Sequence, residues 1–229
     1  MVTIGDNLQA VKTRIAAAAT QYGRNSRSVA LLAVSKTFGA NAVRGAHAAG
    51  QFAFGENYVQ EAVDKMAELA DLALEWHFIG PIQSNKTRQI AEHFNWVHSI
   101  DRLKIAERLS AARPAHLAPL QVCIQVNIGD EASKGGVAPD AALDLARQVA
   151  SLPRLHLRGI MAIPPGSDDI TVQRGYFAQL RGIRETLAAH GLALDTLSMG
   201  MSSDLEAAIA EGATIVRIGT AIFGARQRH

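Results

Sequence analysis

Cysteine occurs once in the 229 residues, as Cys123 inside the apolar run Val122-Cys123-Ile124. An internal disulfide is therefore excluded, and a buried free thiol is the expected state. Aromatic residues make up 5% of the chain and are not interleaved with basic ones, no block of five like charges occurs, and the formal charge is only +2. A polybasic face for nucleic acid is accordingly not expected. No apolar run approaches the ~18 residues that a membrane-spanning helix requires, and Asp6, Lys12 and Arg14 break up the N-terminal stretch where a signal peptide would need continuous apolar character. A soluble, cytoplasmic protein with no membrane contact follows as the expectation. A glycine-rich dinucleotide fingerprint is also missing: the first apolar run leads into Ser35-Lys36-Thr37-Phe38-Gly39, which speaks against a dinucleotide fold.

What the chain does contain is alternation. Residues 4–22 carry Ile4, Leu8, Val11, Ile15 and Ala18 at helical spacing, which predicts an N-terminal helix. Eight short apolar runs follow, at 29–34, 52–54, 76–79, 96–100, 120–128, 155–163, 194–199 and 215–218. Amphipathic stretches near 40–49, 57–72, 84–94, 102–112, 139–151, 170–190 and 203–211 separate them, with Ser84, Asp101 and Asp204 as candidate helix caps. Parallel βαβ repetition without a long linker gives an α/β fold. The count of eight strands, with polar residues after every one, favours a single-domain (β/α)8 TIM barrel over residues 1–229, preceded by the extra helix.

In such barrels the chemistry gathers at the C-terminal strand ends. Lys36 closes the first apolar run, where partial desolvation disfavours the ammonium and frees an amine to attack an aldehyde. Chains also place surface lysines at strand ends, with the stem buried and the amine in water. Met201-Ser202-Ser203-Asp204 enters a helix with backbone N–H groups and the Ser202 hydroxyl turned to an anion, and Gly219-Thr220 takes the matching place after the eighth strand. Loops seven and eight form the usual phosphate cradle of these barrels, although a serine there also serves as a plain helix cap. Arg217 alternates into the barrel among apolar neighbours, so it needs a partner: a ring nitrogen, or an Asp or Glu inside the barrel. An amine, a phosphate cradle and an arginine for a pyridine nitrogen together describe pyridoxal 5'-phosphate.

The segments Ala33-Val34-Ser35-Lys36-Thr37, Phe54-Gly55-Glu56-Asn57-Tyr58 and Trp76-His77-Phe78-Ile79-Gly80-Pro81 run along the first half of the chain. Ser133-Lys134-Gly135-Gly136, Leu197-Ser198-Met199-Gly200-Met201-Ser202-Ser203-Asp204 and Val216-Arg217-Ile218-Gly219-Thr220 complete the set. On these motifs the sequence resembles the pyridoxal-phosphate-binding homeostasis proteins, whose barrel is similar to the N-terminal domain of alanine racemase. The resemblance implies a fold-type III barrel with the cofactor held covalently by Lys36 as a Schiff base. It further implies phosphate contacts from Ser202, Gly219 and Thr220, Arg217 facing the pyridine nitrogen, Asn57 near the ring and Met199 on the same wall.

An arginine opposite the ring nitrogen leaves the ring a weak electron sink, and racemisation then needs a base on each face. The tyrosines Tyr22, Tyr58 and Tyr176 are not at suitable strand ends, and the given sequence ends five residues after Gly224, so the added domain that supplies a tyrosine to racemases is not expected. A monomeric carrier and regulator of the cofactor, in transient contact with apo-enzymes and without a metal, is the leading expectation. Rival readings are a racemase-like enzyme using His77, Lys134 or Tyr58, and a phosphosugar aldolase; His77, flanked by Trp76 and Phe78, reads better as a hydrogen-bonded core residue. Lys134 is also a candidate second amine for cofactor release.

Overall fold

A computed structural model describes residues 3–129 and 135–225. Lys134, the candidate second amine, lies outside the described residues. The eight runs form eight parallel strands: β1 (Ala30–Val34), β2 (Ala53–Glu56), β3 (Glu75–Phe78), β4 (Trp96–Ile100), β5 (Leu120–Gln125), β6 (Leu155–Met161), β7 (Thr196–Ser198) and β8 (Ile215–Ile218). They pair in sequence order, and β1 with β8, to close the barrel, with Leu32 in register with Arg217 across the seam. The expected TIM barrel with an added N-terminal helix is thus the fold observed.

Helix α1 (Ile4–Gln21) starts at Thr3, whose side chain and Asp6 form a reciprocal capping box. Its buried stripe, Leu8, Val11, Ile15 and Ala18, is the one the spacing predicts. The outer ring is α2 (Ala40–Ala48), α3 (Val59–Glu68), α4 (Thr87–His93), α5 (Leu103–Ala112), α6 (Ala142–Ala150), α7 (Ile170–Ala189), α8 (Leu205–Ala210) and α9 (Thr220–Phe223). No described helix is long and apolar enough to cross a membrane.

Two of the three expected caps need correction. Ser84 opens a short 3-10 turn, with Gln83 in the cap position, while Arg102 rather than Asp101 precedes α5. Asp204 does sit at the cap of α8, but its side chain turns backward to accept the Met201 N–H at 2.6 Å. Strands β5 and β6 also stop short of the apolar runs that announced them, because residues such as Val126, Ile128 and Ala162 are buried beyond the ladder.

The large apolar core lies between barrel and helices. A second, smaller cluster, Trp96, Cys123 and Met161, stands apart from it. Trp96 packs there against His77 and His98, and Ser198 and Arg217 are buried with them. Barrels usually fill this space with branched apolar side chains; here a string of polar residues replaces part of that filling. Burial pushes the Cys123 thiol up to about 12, so it stays protonated and inert.

Candidate functional site

A cavity of ≈ 300 Å³ opens at the C-terminal rim of the barrel, lined by Lys36, Asn57, Ser202, Arg217, Gly219 and Thr220 among others. Six of the seven residues singled out in the sequence therefore meet in one place. The seventh, Met199, does not: it is fully buried, and its backbone N–H donates to Ile215 O inside the ladder. The methionine that lines the cavity is Met201. The chain makes this exchange at Gly200, whose φ of +95° is accessible to glycine and whose missing Cβ would stand 2.5 Å from Ala208 Cβ.

Lys36 stands half-buried on a tight turn in which Phe38 N–H donates to Ser35 O. Thr37 occupies the position of that turn that favours glycine, at φ +69°, an uncommon conformation for a β-branched residue. The strain is held from below. Thr37 N–H donates to Glu61 Oε1 at 2.6 Å, Lys65 Nζ donates to Ser35 O and to both Glu56 and Glu61, and Ser35 Oγ donates to Glu56 Oε1 at 2.6 Å. Burial pushes the Glu56 carboxyl up, with Lys65 and Ser35 opposing. Lys65 thus fixes the loop that carries Lys36. Its signal was present in the sequence: it falls on the stripe Val59, Ala62, Lys65, a charge on the apolar face of α3.

Residues 201–204 make the next wall, a turn closed by the Asp204 carboxylate. Helix α1 braces it: Arg14 donates to Ser202 O at 2.9 Å and pairs with Glu206, while Asn7 Nδ2 donates to Ile222 O behind α9. Opposite, the approach of the loop after β3 to Asn57 requires a glycine, since a Cβ on Gly80 would lie 2.3 Å from Asn57 O. Asn57 Oδ1 is buried and, among the described residues, accepts no hydrogen bond.

Of the two partners left open for Arg217 by its sequence, the structure shows no carboxylate in contact with it among the described residues. Its Nη1 donates to Ser198 Oγ at 2.9 Å and its Nη2 to Ala162 O at 2.9 Å. Burial lowers the guanidinium to about 10, partly offset by the charge of Asp204, so it remains a cation at neutral pH. A buried cation whose hydrogen bonds go only to neutral groups is costly unless something else completes it.

Beneath Arg217 lie residues whose role the sequence did not announce. His98 Nδ1 is 2.7 Å from Ser198 Oγ, and its Nε2 is 2.9 Å from His77 Nδ1. His98 has no local signal, because its partners sit on β3 and β7. His77 is the hydrogen-bonded core residue that its neighbours suggest, stacked on Trp96 with ring centroids 5.3 Å apart.

Comparison with known proteins agrees with this geometry. Residues 7–227 match the family of alanine racemase N-terminal domains. The chain is 63% identical over 226 residues, 99% of this chain and 97% of the relative, to the pyridoxal phosphate homeostasis protein of Pseudomonas aeruginosa. The protein of the same name from Escherichia coli K12 is 54% identical over 229 residues, 99% of this chain and 98% of the relative. Among solved structures, PipY of Synechococcus elongatus with PLP bound superposes with a TM-score of 0.80 at 42% identity, over 92% of this chain and all of that one. An alanine racemase from Clostridium difficile, at 12% identity and a TM-score of 0.74, shares the fold over 96% of this chain and 57% of its own.

Proposed function

Since the chain belongs to the pyridoxal phosphate homeostasis proteins, a family built on the alanine racemase N-terminal domain, we propose that it holds pyridoxal 5'-phosphate at the barrel rim, covalently through Lys36, and serves vitamin B6 homeostasis rather than amino-acid turnover. The observation that carries this reading is the donor set of one cavity. It contains a primary amine, hydroxyls and backbone N–H groups at the entries to α8 and α9, and a buried arginine that no carboxylate of the described residues contacts. Asn57 adds an amide oxygen buried without a donor.

Each part fits one part of the cofactor. Lys36 would condense with the aldehyde, one water leaving as the imine forms. Ser202, Gly219 and Thr220 would hold the phosphate, Asn57 would stand by the ring, and Arg217 would donate to the ring nitrogen. An arginine donates there but does not give up its proton. The bound cofactor supplies an aldehyde and a ring that accepts electrons, and Arg217 keeps that ring a weak acceptor. The described residues lining the cavity include no tyrosine and no histidine, which favours holding and delivering the cofactor over a two-base racemisation. We place the protein in the cytoplasm as a monomer that meets apo-enzymes transiently; a single, buried cysteine supports that setting.

An absorbance spectrum, borohydride reduction and peptide mapping test the reading. A visible absorbance band of the lysine imine and a pyridoxyl label on Lys36, both lost in Lys36→Ala, are expected. A saturated, reduced and digested protein without label at that lysine would sink the covalent assignment. Exchange of the α-proton of single L-amino acids at about 1 s⁻¹ or faster would replace the carrier by an enzyme.

A further inference from the structure

A continuous polar string crosses the barrel interior from one mouth to the other. Arg217 Nη1 is 2.9 Å from Ser198 Oγ, which is 2.7 Å from His98 Nδ1; His98 Nε2 is 2.9 Å from His77 Nδ1, and His77 Nε2 is 2.8 Å from Glu75 Oε1. The five residues come from β8, β7, β4 and, for the last two, β3. Ser198 and His98 are fully buried, and His77 and Arg217 nearly so. Glu75 alone reaches water, with its side chain 51% exposed. It lines a separate cavity of ≈ 360 Å³ at the N-terminal mouth, with His77, Trp96, Arg158 and Asp195.

The direction of the hydrogen bonds follows from the two ends. A carboxylate only accepts, so His77 Nε2 must carry a proton and donate to Glu75. A neutral His77 then accepts at Nδ1, which requires His98 to donate from Nε2. A neutral His98 accepts at Nδ1, so the Ser198 hydroxyl donates to it and turns its lone pairs to Arg217, a group that only donates. Burial holds both imidazoles below their usual range, and the His77 hydrogen bond holds Glu75 below its own. The chain is fully satisfied in this one sense. Remove the carboxylate and nothing forbids the opposite sense, in which both imidazoles donate from Nδ1 and Ser198 accepts twice.

We propose that Glu75, at the far mouth of the barrel, is a positioning residue for Arg217: through His77, His98 and Ser198 it sets the proton arrangement that holds the guanidinium for the cofactor ring. The role rests on the cofactor reading above, whereas the proton arrangement does not. None of the four residues lines the cofactor cavity, so the ring contact is tuned from the side of the barrel where no cofactor binds. Such outer partners of a ligand-contacting group orient it and set its strength as a donor.

Imidazole nitrogen NMR on the purified full chain reads the arrangement directly, before and after adding pyridoxal phosphate. Both histidines are expected neutral and protonated at Nε2. A His98 protonated at Nδ1, or an imidazolium at either position, would overturn the relay without any substitution. Glu75→Leu is expected to move both histidines to the Nδ1–H form, shift the visible band and weaken pyridoxal phosphate binding about tenfold. Glu75→Gln, which keeps an acceptor for His77, should restore both the tautomers and the band. Glu75→Leu with unchanged nitrogen shifts, band and affinity would reduce the string to packing. A wild-type chain that takes up no pyridoxal phosphate would defeat the cofactor reading and the positioning role together, while the nitrogen shifts still report the relay.

Discussion

The barrel has a cavity at each end, of similar volume, and the two differ in how their charges are met. At the N-terminal mouth Arg158 donates to both carboxylate oxygens of Asp195 and to Gln121, and lies over the Trp96 ring at 4.8 Å; Glu75 is bonded to His77. Hydrogen bonds there lower both carboxyls, Asp195 through Arg158 and Glu75 through His77. Beneath the rim, burial dominates instead and raises Glu56 and Asp204. Arg217 meets a hydroxyl and a carbonyl, and Asn57 Oδ1 finds no hydrogen-bond donor among the described residues. Volume alone would favour the N-terminal mouth. What marks the rim is unmet polar demand, since buried polar groups in proteins are nearly always satisfied.

The contrast would break most visibly at Arg217. Arg217→Met keeps the bulk but removes the buried guanidinium and leaves Ala162 O and Ser198 Oγ without that donor. Affinity for pyridoxal phosphate should fall at least about tenfold, and stability by about 1–3 kcal/mol, the cost of orphaned buried acceptors. A titration followed by absorbance and a urea melt measure the two. Unchanged affinity would mean that the rim's unmet demand is not for this ligand.

Much of this was legible in the sequence, and the reasons differ by residue. The eight strands show because a strand buried on both faces reads as a short apolar run. Lys36, Ser202, Gly219 and Thr220 show because each stands at a run's end, where barrel topology alone brings distant loops together. Met199 misled because strand alternation continues on paper through Gly200, while the backbone turns there and hands the cavity to Met201. His98 was invisible because its meaning lies in Ser198, 100 residues away. The caps at Ser84 and Asp101 were each misplaced by one residue, and Asp204 takes the cap position with its carboxylate turned back to the Met201 N–H, since residue type alone does not give a cap its direction.

A smaller effect separates the interior from both mouths. His98 sits between His77 and Arg217, and burial with those two neighbours puts its pKa well below the ordinary imidazole value. A group depressed in the folded state contributes stability in full above its unfolded pKa of about 6.5, and that contribution is lost as pH falls below it. The melting temperature should therefore start to drop between about pH 7 and pH 5.5, before most carboxylates titrate. His98→Phe, which cannot take up a proton, should flatten that limb while lowering the plateau. A limb equally steep in His98→Phe would assign the acid sensitivity to other groups.

The smallest effect is expected at the N-terminal mouth, and it is the sharpest control. Arg158→Ala removes the Asp195 pair and the stacking over Trp96. The pair is open to solvent, with Asp195 61% exposed, so screening limits its worth, and the loss should be about 1 kcal/mol in a denaturant melt. Arg158 does not enter the polar string, nor does it contact Glu75 by hydrogen bond among the described residues. Affinity for pyridoxal phosphate should then stay within about twofold of wild type, although the substitution lies beside Glu75 in the same cavity. If Arg158→Ala weakened the cofactor as much as Glu75→Leu, the coupling between the two ends would be a general loosening of the barrel. If it did not, the coupling would run through the five hydrogen-bonded residues alone.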